Sequence, residues 1–336
     1  MAPGALVRML GKRALAMVGI LLVLAAAIFL LQRLTPADPI HAMLGANASK
    51  ARIAEARHQL GYDKPIPVQF VHYVGGLFRG DLQMSLRTRR PVTTDLGHFL
   101  PATLELAFYG LVLALLIGIL LGLLSAVRAR GSGALRFTLL GLASAPPFLL
   151  ALLGILLFYR RLGWLPATGR SSFSDAPTGP TGLLTVDSLV HLRLDVWWDA
   201  VRHLVLPAFC VAVAPACAIG RVLRSSLTTT LRADYVRTAR AKGLSEVRVL
   251  LGHALRNSIG AALSMTGLQV GLMFAGVVVV EEVFAWPGIG LYTAQSIPRT
   301  DFPAIAGVTL VLGAAYVIVN AAVDVFQALA DPRIAI

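Results

Sequence analysis

The chain has 336 residues, of which 57% are hydrophobic and only 14% charged, and its formal net charge is +13. A soluble domain is about 25% charged, so this composition excludes an ordinary soluble enzyme or binding module. The positive charge lies between hydrophobic runs rather than on one soluble face, which argues against nucleic-acid binding.

Six uncharged apolar runs recur along the chain, and each is long enough, or nearly long enough, to cross a bilayer core of about 30 Å, which needs about 20 helical residues. The runs do not alternate polar and apolar residues, so helices are favoured over β-barrel strands. We therefore expect an all-α integral membrane protein with one transmembrane domain, 1–336. The predicted spans cover 14–34, 101–127, 137–159, 203–222, 258–281 and 302–326.

The basic residues Arg8, Lys12 and Arg13 precede the first run and predict a cytoplasmic N-terminus by the positive-inside rule. Gln32-Arg33-Leu34 follows that run in place of a small-residue cleavage site, so a retained span is favoured over a cleaved signal peptide. Six spans then return the C-terminus to the cytoplasm. The segment 35–100 is external in this topology although it carries eight basic residues. It exceeds about 60 residues, a length beyond which the rule loses force.

Two helical features are expected in the external segment 35–100. Ser49–Leu60 predicts a short amphipathic helix, and Asp63–Pro67 predicts a turn. Val68–Phe78 is an apolar stretch suited to the membrane surface.

A basic loop, 223–257, lies between the fourth and fifth spans and is cytoplasmic in this topology. Asp234 is a candidate N-cap for a short helix, and Gly243 suits a left-handed C-cap. Ser245 can cap a second helix that runs through Leu255. A short helix held between two spans would present Arg237, Arg240 and Lys242 to a soluble partner. A solvated basic loop that only fixes topology is an equally good interpretation of these residues.

The segment Asp234–Leu244 reads DYVRTARAKGL and resembles the Glu-Ala-Ala-x3-Gly loop of bacterial ABC importer permeases. Its form is similar to that of the dipeptide/oligopeptide/nickel branch, in the first permease subunit. Arg237 stands where the general signature has Glu, as it does in the peptide branch. The likeness covers nearly the whole chain, and further matching segments are Gly80-Asp81-Leu82, Leu100–Leu106, Leu162–Pro166 and Glu282–Gly290.

This resemblance implies the type I ABC importer permease fold, with six spans and a cytoplasmic coupling helix. It implies a second homologous permease subunit, two cytosolic ABC ATPases that hold ATP and Mg, and an extracytoplasmic solute-binding protein, all at the cytoplasmic membrane of a bacterium. The cargo would be a peptide or a related solute. The residues assigned to the ATPase-coupling loop are Asp234, Tyr235, Arg237, Thr238, Ala239, Arg240, Ala241, Lys242, Gly243 and Leu244. Those assigned to the binding-protein side are Gly80, Asp81, Trp286, Pro287 and Gly288.

The chain itself lacks the motifs of ATP hydrolysis and metal binding. Gly11-Lys12 is followed by Arg13 and has no upstream glycine of a phosphate-binding loop, so ATP must be hydrolysed elsewhere. The histidines form no HExxH pair and no zinc spacing with cysteine. We therefore expect no catalytic residue, no metal site and no cofactor bound by this chain.

Four residues inside the spans are candidates for lining a transport pathway. Gln269 and Asn320 are polar, and intramembrane polar groups usually face a bundle interior or water. Pro146 and Pro147 remove backbone hydrogen bonds and can kink the third span. The alternatives are helix–helix hydrogen bonding for the two amides and simple packing for the prolines.

Two other classes of membrane protein fit the sequence less well than an importer permease. An ion-coupled secondary transporter usually places carboxylates or histidines at the bilayer midplane and shows inverted repeats, and neither is visible in the sequence. A membrane-embedded hydrolase needs a nucleophile with a nearby base or metal ligands, and the spans offer no such group.

Overall fold

The computed structural model describes residues 3–34, 48–59, 61–127 and 131–330, together with Ile40 and Leu44. Parts of the predicted external segment, 35–39, 41–43, 45–47 and 60, lie outside the described residues. The described residues are mainly helical. Twelve helices are used below: α1 Pro3–Leu34, α2 Lys50–Gln59, α3 Ile66–Phe78, α4 Val92–Ala126, α5 Ser132–Ser144, α6 Pro147–Arg161, α7 Leu184–Val190, α8 Leu194–Thr230, α9 Asp234–Ala241, α10 Glu246–Val283, α11 Ile289–Ser296 and α12 Phe302–Ala330.

Five of these helices contain a segment long and apolar enough to cross a membrane: Arg13–Leu34 of α1, all of α4, α8 and α10, and Phe302–Val323 of α12. The remaining predicted span, the third in chain order, is made of two helices, α5 and α6, which are bent by 110° relative to each other. The prediction of six transmembrane helices is therefore confirmed if this bent pair counts as one span.

The third span is not the continuous helix predicted over 137–159. Ala145 adopts an extended conformation with ψ 141°, and Pro146 follows with ψ 144°. A residue before proline is pushed out of the helical region by the proline ring, and here two such positions are consecutive. Pro147 then occupies the first turn of α6, where its missing N–H costs nothing. Pro207 and Pro215, in contrast, lie inside the uninterrupted helix α8.

Several helices extend beyond the apolar runs that the predicted spans were based on. Helix α4 begins at Val92, nine residues before the predicted span, and contains Pro101. Helix α8 ends at Thr230 and α10 begins at Glu246, so the predicted loop 223–257 contracts to residues 231–245. Polar residues that continue a helix carry no hydropathy signal, and tertiary packing decides where the helix ends.

Helix α8 is the central helix of the described bundle. In its most apolar stretch 83% of residues are buried within the chain, compared with 17% for α1. Glycines allow α4 and α8 to approach closely: a Cβ on Gly118 would lie 3.0 Å from the backbone oxygen of Ala216, and one on Gly220 would lie 3.0 Å from that of Gly118. Small residues at a helix interface permit this backbone contact in a membrane. The two helices therefore form one tightly packed unit.

We expect Gly118→Val to loosen this unit. The added side chain would enter the backbone of α8, and overpacking of this kind costs about 1–3 kcal/mol. Gly141→Val, in α5, is the matched control because a Cβ there meets nothing within 4 Å. Thermal unfolding of the two purified variants in detergent measures the difference; equal apparent Tm values would contradict the close packing of α4 and α8.

Candidate functional site

Helix α9 occupies the short loop between α8 and α10. Ala233, with φ −69° and ψ 151°, is the residue before the helix, and Asp234 is its first helical residue. The prediction that Asp234 caps the helix was wrong by one position, and no side-chain cap is formed there. Gly243 has φ +80°, which confirms the predicted left-handed residue after the helix.

The helix is held by its apolar face. Val236 is 0% and Ala239 7% exposed, and both pack in one cluster with Val249 of α10. Leu231 and Leu244, on either side of α9, complete this cluster. We call these five residues the docking cluster. It fixes α9 to the first turns of α10 and leaves the opposite face of the helix exposed.

The exposed face is basic, but its cations are not equivalent. Arg240 donates from Nε and Nη2 to the two carboxylate oxygens of Glu246 at 2.8 and 3.1 Å. This hydrogen-bonded pair raises the pKa of Arg240 further above its usual value. Arg237 lies 3.6 Å from Asp234 with both side chains mostly exposed, an arrangement worth little in water. Arg237, Lys242 and Tyr235 thus remain on the surface, whereas Arg240 braces the loop.

A π-helical stretch, Val249–Leu255, joins the docking cluster to the rest of α10. Its Ala254 is fully buried beside Leu223 and Leu227 of α8. Ser258 also donates to the hydroxyl of Thr230 at 3.0 Å, which ties α10 to the end of α8. π-helical turns occur often at functional sites. This stretch has no signature that sequence analysis could have read.

The opposite end of the bundle is organised by one buried carboxylate. Glu281, at the end of α10, is 0% exposed. Its Oε1 accepts from the hydroxyl of Thr103 in α4 at 2.6 Å. Its Oε2 accepts from the backbone N–H groups of Gly290 and Leu291 in α11, at 2.7 and 3.1 Å. We call this the Glu281 cluster, and it joins α4, α10 and α11.

Glycine is required next to this carboxylate. A Cβ on Gly288 would collide with the carboxylate of Glu281, and one on Gly290 would lie 2.6 Å from the Cα of Val278. The indole of Trp286 donates to the backbone oxygen of Ala102 at 2.9 Å. The turn that leaves α10 is therefore built around the buried acid.

A second buried acid lies nearby. Glu105 of α4 is 2% exposed and pairs with Arg170 at 2.5 Å. Glu105 also accepts from the N–H and the hydroxyl of Thr185, each at 2.7 Å. Arg170 donates to the backbone oxygen of Gly182 at 3.1 Å and lies 5.7 Å above the ring of Trp286. Sequence analysis missed Glu281 and Arg170 because their partners are distant along the chain.

The residues expected on the binding-protein side differ in their exposure to solvent. Trp286 and Gly288 lie inside the protein, because the first packs on α4 and the second adjoins the Glu281 carboxylate. They offer no surface for a soluble partner in this conformation. Gly80 and Asp81 are exposed, and Pro287 is partly exposed.

Within the described residues no hydrogen bond joins the candidate pathway residues to one another. Gln269 is 9% exposed, and its amide lies 3.7 Å from the sulfur of Met265. Asn320 donates to the backbone oxygen of Tyr316 in its own helix at 2.9 Å. Pro146 and Pro147 are exposed at the break between α5 and α6. Across the described ranges, no group of three or more His, Cys, Asp or Glu side chains is arranged to hold a metal ion.

Two family models match the chain. The model described as "Binding-protein-dependent transport system inner membrane component" covers residues 114–336. An N-terminal model for the membrane component of the same kind of system covers residues 6–107.

Curated relatives match along nearly the whole length. A "Probable D,D-dipeptide transport system permease protein" of Escherichia coli (strain K12) is 44% identical over 322 residues, covering 94% of this chain and 95% of the relative. A "Di/tripeptide transport system permease protein" of Pseudomonas aeruginosa (strain UCBPP-PA14) is 42% identical, covering 91% and 92%. A "Dipeptide transport system permease protein" of Alkalihalophilus pseudofirmus is 35% identical, covering 96% and 98%.

We expect Glu281→Ala to destabilise the folded protein strongly. The substitution leaves two buried N–H groups and one hydroxyl without their acceptor, and each orphaned group costs about 1–3 kcal/mol. Glu282→Ala is the matched control, since its side chain is exposed at the adjacent position. Yield of folded protein and thermal unfolding after membrane extraction report the effect. Similar stability of the two variants would show that the Glu281 cluster does not hold this end together.

Proposed function

The chain belongs to the family of inner membrane components of binding-protein-dependent transport systems, and on that premise we propose that it imports peptides by coupling movement of α9 to ATP use in partner subunits. It is a membrane-embedded permease, and the alternative of an ion-coupled secondary transporter is not supported by its relatives. The resemblance to ABC importer permeases and the expected helical membrane fold are confirmed by the family models and the apolar helices.

The main support for the coupling proposal is that α9 is an amphipathic helix with its apolar face buried. A loop that only fixed topology would not need a buried apolar face, yet Val236 and Ala239 are buried against Val249. The exposed face offers Tyr235, Arg237 and Lys242 to a partner. We assign to the ATPase-coupling surface the whole segment Asp234–Leu244, with Arg240 as an internal brace.

The connections of α9 suggest how force would pass into the membrane. A push on the exposed face is transmitted through the docking cluster to Val249, the first residue of the π-helical stretch. Ala254 and Ser258 then contact α8, so the ends of α8 and α10 must move with α9. The Glu281 cluster fixes the far end of α10 to α4 and α11. A helix moved at one end and fixed at the other tilts rather than slides.

Peptides are the proposed cargo because relatives over nearly the full length are named as permeases of dipeptide and tripeptide systems. The complete importer would contain a second permease, two ATPases that bind ATP and Mg, and an external binding protein. We place the α9 loop and both termini on the cytoplasmic side. Gln269 and Asn320 stay candidates for lining the pathway, and the break at Pro146 and Pro147 stays a candidate hinge.

The direct test is reconstitution of this chain with candidate permease, ATPase and binding-protein partners in lipid vesicles. Dipeptide together with the binding protein should increase ATP hydrolysis and should accumulate inside the vesicles. Labelling of a cysteine placed at Lys242 with an impermeant reagent should occur only from the cytoplasmic side. Labelling from the outer side would overturn the proposed orientation, and ATP hydrolysis that never responds to peptide would overturn the cargo.

Arg237→Glu should weaken ATPase docking, because it reverses a charge on the exposed face of α9. An exposed charge contact is worth about 1 kcal/mol at most, which is about fivefold in affinity, with the larger effect at low salt. Arg79→Glu makes the same change at an exposed site outside the loop and should leave docking unchanged. Co-purification of ATPases across a salt series measures both. Equal loss in the two variants would argue for a passive loop.

Gly243→Ala should uncouple the loop without preventing insertion. A Cβ at Gly243 meets nothing within 4 Å, so the penalty is only the left-handed backbone, about 1–2 kcal/mol. Gly260→Ala in α10 also adds its Cβ to open space, but in helical backbone. The expected result is a several-fold lower ratio of transported peptide to hydrolysed ATP for Gly243→Ala alone. An unchanged ratio would remove Gly243 from the coupling segment.

A further inference from the structure

A polar cavity of about 210 Å³ lies at the C-terminal end of α1. The last turn of α1, the segment after α2 and one face of α3 form its walls. Its charged lining consists of Arg33, Lys64 and Asp81, with His72 beside them. Among the described lining residues two cations accompany one carboxylate, so these residues carry a net charge of +1 when His72 is neutral. This balance suits a single anionic group.

Arg33 is placed to donate to a ligand in this cavity. Its guanidinium lies 5.4 Å from the ring centre of Phe29 and 4.9 Å from that of Tyr62. Stacking occupies the faces of the guanidinium, whereas its N–H groups point outward in its plane. Among the described residues no carboxylate lies within ion-pair distance of Arg33 and no side chain accepts a hydrogen bond from it.

Tyr73 supplies a second donor to the same cavity. Its hydroxyl is buried and has no hydrogen-bond partner within the described part of the chain. Its ring stacks on Phe29 at 5.8 Å, next to Arg33. Burial raises the pKa of Tyr73 to about 12, so the hydroxyl keeps its proton at neutral pH. A buried donor without an acceptor is destabilising, and an oxyanion in the cavity would relieve this.

We propose that this cavity binds the phosphodiester group of a membrane phospholipid, with the Arg33 guanidinium and the Tyr73 hydroxyl as its donors. Phosphate is recognised well by the planar donors of arginine.

The surroundings of the cavity favour a lipid over a free anion. Arg33 is the last residue but one of the apolar segment Arg13–Leu34, so the cavity lies where that span leaves the hydrocarbon. Only 17% of the most apolar window of this segment is buried within the chain. The exposed side chains of Leu30 and Val23 continue down the same helix and offer a surface to acyl chains. On α3, Ile66 and Val71 are exposed apolar residues beside the cavity, as at a membrane surface.

Lipid retention by the full-length chain tests the proposal. The protein is extracted, exchanged into a phospholipid-free detergent, incubated with phosphatidylglycerol, and analysed by native mass spectrometry. The unaltered chain should retain one phosphatidylglycerol in preference to further copies. Arg33→Gln should reduce that first retention by about tenfold, the effect of losing hydrogen bonds from a charged group. Tyr73→Phe should reduce it several-fold.

Arg79→Gln is the matched control, because Arg79 is an exposed arginine that follows α3 and is absent from the described lining of the cavity. It should retain lipid as the unaltered chain does. If Arg33→Gln fails to fold, Tyr73→Phe still tests the proposed site. The hydroxyl that it removes has no hydrogen-bond partner among the described residues, so the fold should be unaffected. Equal retention by Tyr73→Phe, Arg79→Gln and the unaltered chain would overturn the site.

Inorganic phosphate separates the two sources of the anion. If millimolar inorganic phosphate leaves the first phosphatidylglycerol in place, a lipid is the ligand. If inorganic phosphate displaces the first phosphatidylglycerol completely, and the protein shows no preference for the lipid over phosphate, the cavity is a site for a free anion. That result would overturn the lipid assignment. The outcome does not depend on which solute the permease transports.

Discussion

The carboxylate of Glu281 is the interaction on which one end of the bundle depends. A carboxylate with no exposure is tolerated only when its oxygens are fully hydrogen-bonded. Glu281 obtains this from Thr103 of α4 and from the N–H groups of Gly290 and Leu291 in α11. Three helices must therefore meet at one point. Positions 288 and 290 must be glycine because a Cβ at either position would collide with Glu281 or Val278. The neighbouring pair Glu105–Arg170 extends the same rigid region through Thr185 to α7.

The loop end is held differently, and the difference has a functional meaning. Apart from the Arg240–Glu246 pair, α9 is held mainly by small apolar contacts in the docking cluster. Apolar packing is non-directional, so it tolerates small shifts that a network of directed hydrogen bonds resists. The π-helical stretch that follows, Val249–Leu255, is a departure from the regular helix at the place where movement would enter α10. A directed polar network at one end and apolar docking at the other gives α10 a fixed end and a movable end.

Sequence reasoning recovered what depends on short stretches of chain. Hydropathy and length identified the spans, and the left-handed Gly243 followed from its place after a helical pattern. The break at Pro146 was expected only as a kink, because two adjacent prolines do not determine the angle between the helices on either side. The value of 110° depends on what α5 and α6 pack against.

Contacts between distant residues were out of reach of the sequence. Thr103 and Glu281 are separated by 178 positions, and Trp286 and Ala102 by 184. A turn such as Trp286-Pro287-Gly288 reads as an exposed loop because proline and glycine usually mark the surface. Here the same residues surround a buried acid, and the glycines are required by close approach rather than by solvent exposure.

The basic residues of the chain contribute equally to its net charge but have different structural roles. The chain has a formal net charge of +13, yet its single cations differ in what they contact. Arg240 is hydrogen-bonded to Glu246 within the loop, and Arg170 is paired with Glu105 in the buried network, so a carboxylate holds each of them in place. Arg237 lies on the exposed face of α9, and Arg33 lines the cavity at the C-terminal end of α1. Which arginines can meet a partner therefore depends on how firmly each guanidinium is held: Arg240 makes two hydrogen bonds to Glu246, whereas Arg237 has only a longer, exposed contact with Asp234.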